Sequence, residues 1–174
     1  MSYYGNRGNG GGSSRSGGYG SSSSKPEPVV YTDGACTNNG YSNARGGIGI
    51  YWGPDHPNNV SAPLNDSRAT NNRAEYTAVN EAIKQARNDG YGSVTIRTDS
   101  ELLVKSANEY SKNWQRNDWK TASGSDVKNQ DLIKEFHGLK QSINVRLEHV
   151  NGHRGEHGNE MADRLAKEAA KKYY

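Results

Sequence analysis

Between residues 71 and 88 apolar positions recur at helical spacing, with Val79, Ala82, Ile83 and Ala86 on one face together with Glu75, and Asn88-Asp89-Gly90 supplies a stop. Before this helix the period is shorter. Residues 29–32 form a β-branched and aromatic run that ends at Asp33-Gly34, which reads as a strand followed by a turn. Residues 44–51 place Ile48 and Ile50 on one face, and Gly46, Gly47 and Gly49 suggest a strand approached closely by another backbone. Residues 60–64 give a third strand, joined to the second through Gly53-Pro54-Asp55 in an antiparallel meander.

After the helix, residues 93–98 read as a strand, Asp99 or Ser100 as an N-cap, and residues 101 to about 108 as a short helix. Residues 109–128 are polar and basic, with three aromatics and little periodicity. A helix from about 126 to 141 turns Leu132, Ile133, Phe136 and Leu139 inward, and residues 145–150 alternate as a strand. The last helix starts near Glu156, with Ala162, Leu165, Ala166 and Ala169 on one face. The order βββαβααβα has a strand–helix–strand unit at its middle and predicts an α/β fold, a mixed sheet with helices on its faces.

Composition changes the picture at the amino terminus. The apolar fraction of the 174 residues is 31%, and the deficit is local. Residues 1–28 are almost entirely Gly, Ser, Tyr, Asn and Arg, with no acidic residue before Glu27, so they cannot bury enough surface to offset the entropy of ordering. The expected division is a disordered tail over 1–28 and one domain over 29–172. The tail is Ser-rich and carries Arg7 and Arg15, yet offers no apolar face for an amphipathic transit helix. Tyr3, Tyr4 and Tyr19 among Gly and Arg could stack on single-stranded RNA, or the segment could be a solvated leader with no partner.

A net charge of +3 does not by itself specify a nucleic-acid partner. The single cysteine, Cys36, excludes an internal disulfide framework and fits a reducing compartment, so nucleus or cytoplasm is expected, with the mitochondrion left open. Nothing resembles a transmembrane span, and no membrane partner is expected.

The candidate chemistry lies in four acids, each in its own motif: Asp33, Glu75, Asp99 and Asp163. Singly they have plain explanations. Asp33-Gly34 could be a turn, Asp99 a helix cap, and Asp163 the i,i+4 partner of Lys167. Glu75 resists this, because it shares the apolar helical face, where a lone carboxylate would cost several kcal/mol unless paired or metal-bound. If the first and fourth strands are parallel neighbours, Asp33 and Asp99 both lie at strand carboxyl ends, where open α/β sheets place their sites. Clustered anions need a cation, and hard oxygen ligands suit Mg²⁺ or, as a substitute, Mn²⁺. Two such ions about 4 Å apart could activate water and stabilise a leaving oxygen in an in-line displacement.

Tyr31-Thr32-Asp33-Gly34, Thr70-Asn71-Asn72-Arg73-Ala74-Glu75, Thr98-Asp99-Ser100, Val150-Asn151-Gly152-His153 and Gly158-Asn159-Glu160-Met161-Ala162-Asp163 together resemble, in order, the motifs of type 1 ribonuclease H of eukaryotic kind. The resemblance covers about residues 29–170. It implies a five-stranded ribonuclease H-like sheet flanked by helices, and an endonuclease, acting as a monomer, that cleaves the RNA strand of RNA/DNA hybrids to 5′-phosphate and 3′-hydroxyl ends. It assigns Asp33, Glu75, Asp99 and Asp163 to two Mg²⁺ ions and His153 to proton transfer or product departure.

By the same resemblance Cys36, Asn39, Asn71 and Asn72 contact RNA 2′-hydroxyls and the hybrid, as asparagine amides both donate and accept. Arg68, Thr70 and Asn129 match a pocket for a phosphate of the DNA strand. The stretch with Lys105, Lys112, Trp114, Arg116, Trp119, Lys120 and Lys128 is similar to the family's basic protrusion, its tryptophans mainly core. Each has a plain alternative in turn, cap or surface chemistry. Tyr110 stands where eukaryotic members often have a tryptophan, and Ala122 replaces a hydroxyl residue, which alters the expected DNA contacts. The amino-terminal hybrid-binding domain of many eukaryotic members has the Gly/Ser/Tyr tail in its place.

Three rivals remain in view. His149, His153 and His157 recur every four residues as zinc ligands on one helix would, but Gly152, Gly155 and Gly158 break that helix. A non-catalytic hybrid- or RNA-binding module is opposed by the full acid set. A nuclease acting on DNA alone, such as a resolvase or transposase, is opposed by asparagines suited to 2′-hydroxyl readout.

Overall fold

The computed structural model describes residues 25–152 and 156–172. Five strands form one sheet: β1 (Val29–Thr37), β2 (Arg45–Tyr51), β3 (Val60–Leu64), β4 (Ser93–Thr98) and β5 (Asn144–His149), in the order β3-β2-β1-β4-β5. The first three pair antiparallel, whereas β1–β4 and β4–β5 are parallel, so the sheet is mixed as the pattern predicts. Its helices are α1 (Asn71–Asn88), α2 (Glu101–Lys105), α3 (Ser111–Arg116), α4 (Gln130–Leu139) and α5 (His157–Lys172). Val30, Ile50, Val94 and Ile96 of the sheet, Val79 and Ile83 of α1, and Ile133 and Phe136 of α4 are fully buried in one core.

The first strand does not end at Asp33-Gly34. It continues to Thr37, with Asp33 opposite Gly49 and Gly34 opposite Ile48 in the β2 ladder. The turn lies later, where Asn38 (φ 52°) and Gly40 (φ 93°) take left-handed backbone. Gly34 serves packing: a β-carbon there would lie 2.3 Å from the Glu75 backbone nitrogen, so only glycine lets α1 sit this close to β1. On β2, a β-carbon at Gly49 would lie 2.1 Å from the Ala162 carbonyl oxygen of α5. The close backbone approach predicted for the second strand is therefore that of α5.

The short helix expected at 101–108 is longer. After α2 the chain passes through one π-helical turn, Ser106–Tyr110, directly into α3. Ser106 and Ser111 donate their hydroxyls back to the Leu103 and Ala107 carbonyls, 3.0 Å each, which satisfies acceptors in this irregular stretch. Helix α4 starts only at Gln130, because Asn129 before it adopts the left-handed conformation (φ 60°). Helix α1 begins where expected, capped by Thr70, whose Oγ1 accepts from the Arg73 N–H at 3.1 Å.

Candidate active site

Parallel pairing sets Tyr31 beside Arg97, which brings Asp33, further along β1, and Asp99, directly after the carboxyl end of β4, to the same edge of the sheet. Glu75 enters from the second turn of α1, which Gly34 admits against β1. Carboxylate oxygens of Asp33, Glu75 and Asp99 lie within 4.8 Å of one another. Asp163, from the second turn of α5, shares a hydrogen bond with Asp33 and has Lys167 Nζ 3.1 Å away. Asp163 thus forms the expected ion pair with Lys167 and also lines the acidic cleft.

Burial and mutual repulsion govern the electrostatics. Asp33 is only 4% exposed. Burial first, then the Asp99 charge, then the hydrogen bond shared with Asp163 push its carboxyl far above the usual range, against the Gly34 N–H, which donates to Oδ1 at 2.8 Å. Burial raises Glu75 to about 7, opposed by a hydrogen bond from Ser100 and assisted by the Asp99 charge. Asp99 is raised as well, by burial and then by Asp163. A divalent cation would counter these shifts by neutralising the clustered charge and favouring the ionised carboxylates. The donor set fits a hard cation: three convergent carboxylates, with no histidine or thiolate among them.

Two groups here escaped the sequence reading. Ser100, expected at most to cap α2, accepts from the Leu103 N–H at 3.1 Å and also hydrogen-bonds Glu75. Asn159, quoted within a motif but given no role, is buried and hydrogen-bonds Asp99. Ser100 follows Asp99 and Asn159 lies one helical turn before Asp163, but that spacing alone cannot reveal contacts with Glu75 and Asp99 across the fold.

The acids floor a cleft of about 650 Å³ whose rim carries Cys36, Asn71, Asn72, Lys167 and Lys171. Asn39 is tied to the same rim, its Oδ1 accepting from the Asn71 N–H at 3.0 Å. A second groove of about 450 Å³, lined by Tyr76, Leu103, Trp114, Val127, Lys128 and Asn129 among others, shares Asn72 and Glu75 with the first. Arg68 and Asn129 meet through Arg73: Arg68 reaches Asp131 at 3.4 Å, and Asn129 Oδ1 accepts from Arg73 at 3.2 Å. Thr70 adjoins them but spends its hydroxyl oxygen on capping α1.

Lys112 and Arg116 are exposed on α3, whereas Lys120 is held by Asp126 at 2.5 Å and Lys105 by Glu101 at 3.0 Å. Trp114 and Trp119 pack against the core and remain partly exposed, so they are less interior than expected. Tyr110 is 39% exposed and leans on Trp114, and Ala122 is exposed. His153 lies outside the described residues. Gly152, just before it, abuts the Asp99 side chain. His149 ends β5 and His157 opens α5, so the two lie on separate elements and not on the single helix a zinc reading needs.

The profile of the RNase H family, described as RNase H, matches residues 25–171. The chain belongs to the RNase H family. Ribonuclease H1 of Rattus norvegicus is 44% identical over 143 residues, covering 82% of this chain and 50% of that protein. The chain thus spans about half the length of this relative. Ribonuclease H of Syntrophomonas wolfei is 36% identical over 146 residues and is matched over 97% of its own length. Among solved structures, the foamy viral protease-reverse transcriptase in complex with RNA/DNA hybrid superposes with a TM-score of 0.70 at 26% identity, over 83% of this chain and 20% of that one. The five-stranded mixed sheet with flanking helices is accordingly an RNase H fold, and its carboxylate cluster is consistent with the divalent-metal chemistry of the family. Among the described residues no helix is long and apolar enough to cross a membrane.

Proposed function

We propose that this chain is an endoribonuclease that hydrolyses the RNA strand of RNA/DNA hybrids, as a monomer, leaving 5′-phosphate and 3′-hydroxyl ends. The observation that carries the reading is the convergence of Asp33, Glu75 and Asp99 within 4.8 Å, with Asp163 against Asp33, in a chain of the RNase H family. These four acids would hold two Mg²⁺ ions, with Mn²⁺ as a substitute, which when bound supply an activated water and charge neutralisation at the phosphate.

The chain's own groups do the rest. Ser100 and Asn159 hold Glu75 and Asp99 in place, so the acids keep their spacing before substrate arrives. Cys36, Asn39, Asn71 and Asn72 lie along or beside the cleft rim, where amide groups can donate to and accept from 2′-hydroxyls. Water oxygen adds to phosphorus as the bond to the 3′-oxygen breaks, and that oxygen leaves with a proton. His153 would assist the proton transfer or the departure of product. Arg68, Thr70 and Asn129 would receive a phosphate of the DNA strand, and Lys112, Arg116 and Lys120 further backbone charge.

Incubation with labelled hybrid, RNA duplex, DNA duplex and DNA carrying one embedded ribonucleotide, with and without Mg²⁺, tests this. Cleavage of the hybrid alone, and only with metal, is expected. Efficient cutting at the single ribonucleotide would overturn the multi-hydroxyl readout, and cutting of all-DNA duplex the substrate class.

A further inference from the structure

Arg73 is charged yet only 6% exposed, and every nitrogen of its guanidinium is engaged. Nε donates to Asp66 Oδ2 at 2.6 Å; Nη1 and Nη2 grip Asp131 at 3.0 and 2.7 Å; Nη1 also donates to Asn129 Oδ1 at 3.2 Å. The same two carboxylates are the partners of Arg68, at the longer distances of 3.7 and 3.4 Å, and the Arg68 side chain is 67% exposed. Two guanidiniums therefore share two carboxylates very unequally. Arg73 takes the short, buried contacts and holds the Asp131 carboxyl down to about 2. Arg68 keeps only weak, solvent-screened ones.

Two consequences follow for anything that approaches this corner. First, the carboxylates are already neutralised from beneath, so Arg68 is not committed to them and can turn to an incoming anion. Second, a guanidinium has only donors, so the atom of Asn129 that faces Arg73 has to be the carbonyl oxygen. The Asn129 Nδ2 group is thereby fixed at the other corner of the planar amide, directed away from the oxygen that Arg73 holds and able to donate. The left-handed backbone of Asn129 (φ 60°) is held at the same point.

We propose that Arg73 is a positioning residue for nucleic-acid phosphate: it neutralises Asp66 and Asp131 so that Arg68 is released to the phosphate, and it orients the Asn129 amide as a second donor. The proposal rests on the hybrid-cleaving reading above, in which Arg68 and Asn129 receive a phosphate. Arg73 itself touches no substrate. Without it, Arg68 would face two unpaired carboxylates, which would capture its guanidinium and repel the phosphate.

Steady-state cleavage of a short hybrid by the full chain, with folding checked by circular dichroism, provides the test. Arg68→Ala serves as the control on the pocket and is expected to raise KM about tenfold with little change in kcat, and to lower the log–log salt slope of binding by about one. Arg73→Met should raise KM at least as much as Arg68→Ala, with the larger effect in KM and not in kcat. Adding Asp131→Asn to Arg73→Met removes the exposed competing charge and should restore most of the KM. Asp131→Asn alone, which keeps Arg73, should leave KM near wild type, because Arg73 already neutralises that carboxylate; a several-fold lower KM would show that Asp131 competes for Arg68 in spite of Arg73 and would overturn the proposal. Where Arg73→Met does not fold, Arg73→Lys, which keeps the charge but cannot grip Asp66, Asp131 and Asn129 together, should raise KM above wild type. A purely structural Arg73 would leave KM unchanged in a folded Arg73→Met or Arg73→Lys; either result overturns the proposal. Wild-type KM in Arg68→Ala would instead show that the phosphate pocket itself is wrongly placed, and the role given to Arg73 would fall with it.

Discussion

At the scale of single residues, Glu75 carries the most testable consequence of the acidic cleft. Its ordinary value of 4.5 is raised to about 7 in the folded protein. Between those values the folded chain holds a proton that the unfolded chain has lost, so the stability contributed by protonated Glu75 is full below 4.5 and lost as pH rises through 7. In EDTA the melting temperature of the native chain should therefore fall relative to that of Glu75→Gln as pH goes from 5 to 8. The difference between the two proteins is the quantity to read, because His56 and His137, both lowered by burial, add stability with rising pH in both alike. Glu75→Gln should abolish cleavage. A difference that stays flat with pH would show that burial, assisted by the Asp99 charge, does not raise the Glu75 carboxyl. The four acids were legible in the sequence because each sits in a short motif of residue types that the chemistry requires. Ser100, Asn159 and Arg73 were not, since their importance lies in which side chain they meet across the fold.

At the scale of elements, the error over the first strand is instructive. Asp-Gly is a strong local turn signal, and it was overruled by a tertiary demand: α1 needs the space where a Gly34 side chain would be. The π-helical turn between α2 and α3 was likewise illegible, because no apolar period marks it and its carbonyls are satisfied by serines that read as loop formers. By contrast α1, β4 and β5 were legible within a residue or so, the burial of α1 and β5 following their periodicity and β4 being a buried central strand. The packing of α5 on β2 gives a prediction here. Gly49→Ala places a methyl group where the Ala162 carbonyl stands and should destabilise the protein by about 1–3 kcal/mol in urea unfolding. It should also reduce activity, since α5 carries Asp163. Gly138→Ala, in the exposed α4 position with nothing within 4 Å, should instead be neutral or stabilising by up to about 1 kcal/mol. Equal effects of the two would contradict the close approach.

For the whole molecule, charge is distributed less freely than a count of lysines suggests. Lys120 is tied to Asp126, whereas Lys112 and Arg116 are exposed on α3. Replacing Lys112, Arg116 and Lys120 together by Ala should weaken binding to all hybrids alike and lower the salt slope by about two, with Lys120→Ala alone contributing little. Filter binding across a salt series reads this, and an unchanged slope would refute the basic-segment assignment. The four cleft acids have a further consequence at this scale. They come from β1, α1, the end of β4 and α5, so an ion held among them would act as a reversible cross-link between segments up to 130 positions apart in the chain, from residue 33 to residue 163. The parts least connected in sequence would then be the first to gain from the ion, and the cleft would be most firmly closed when charged for the reaction.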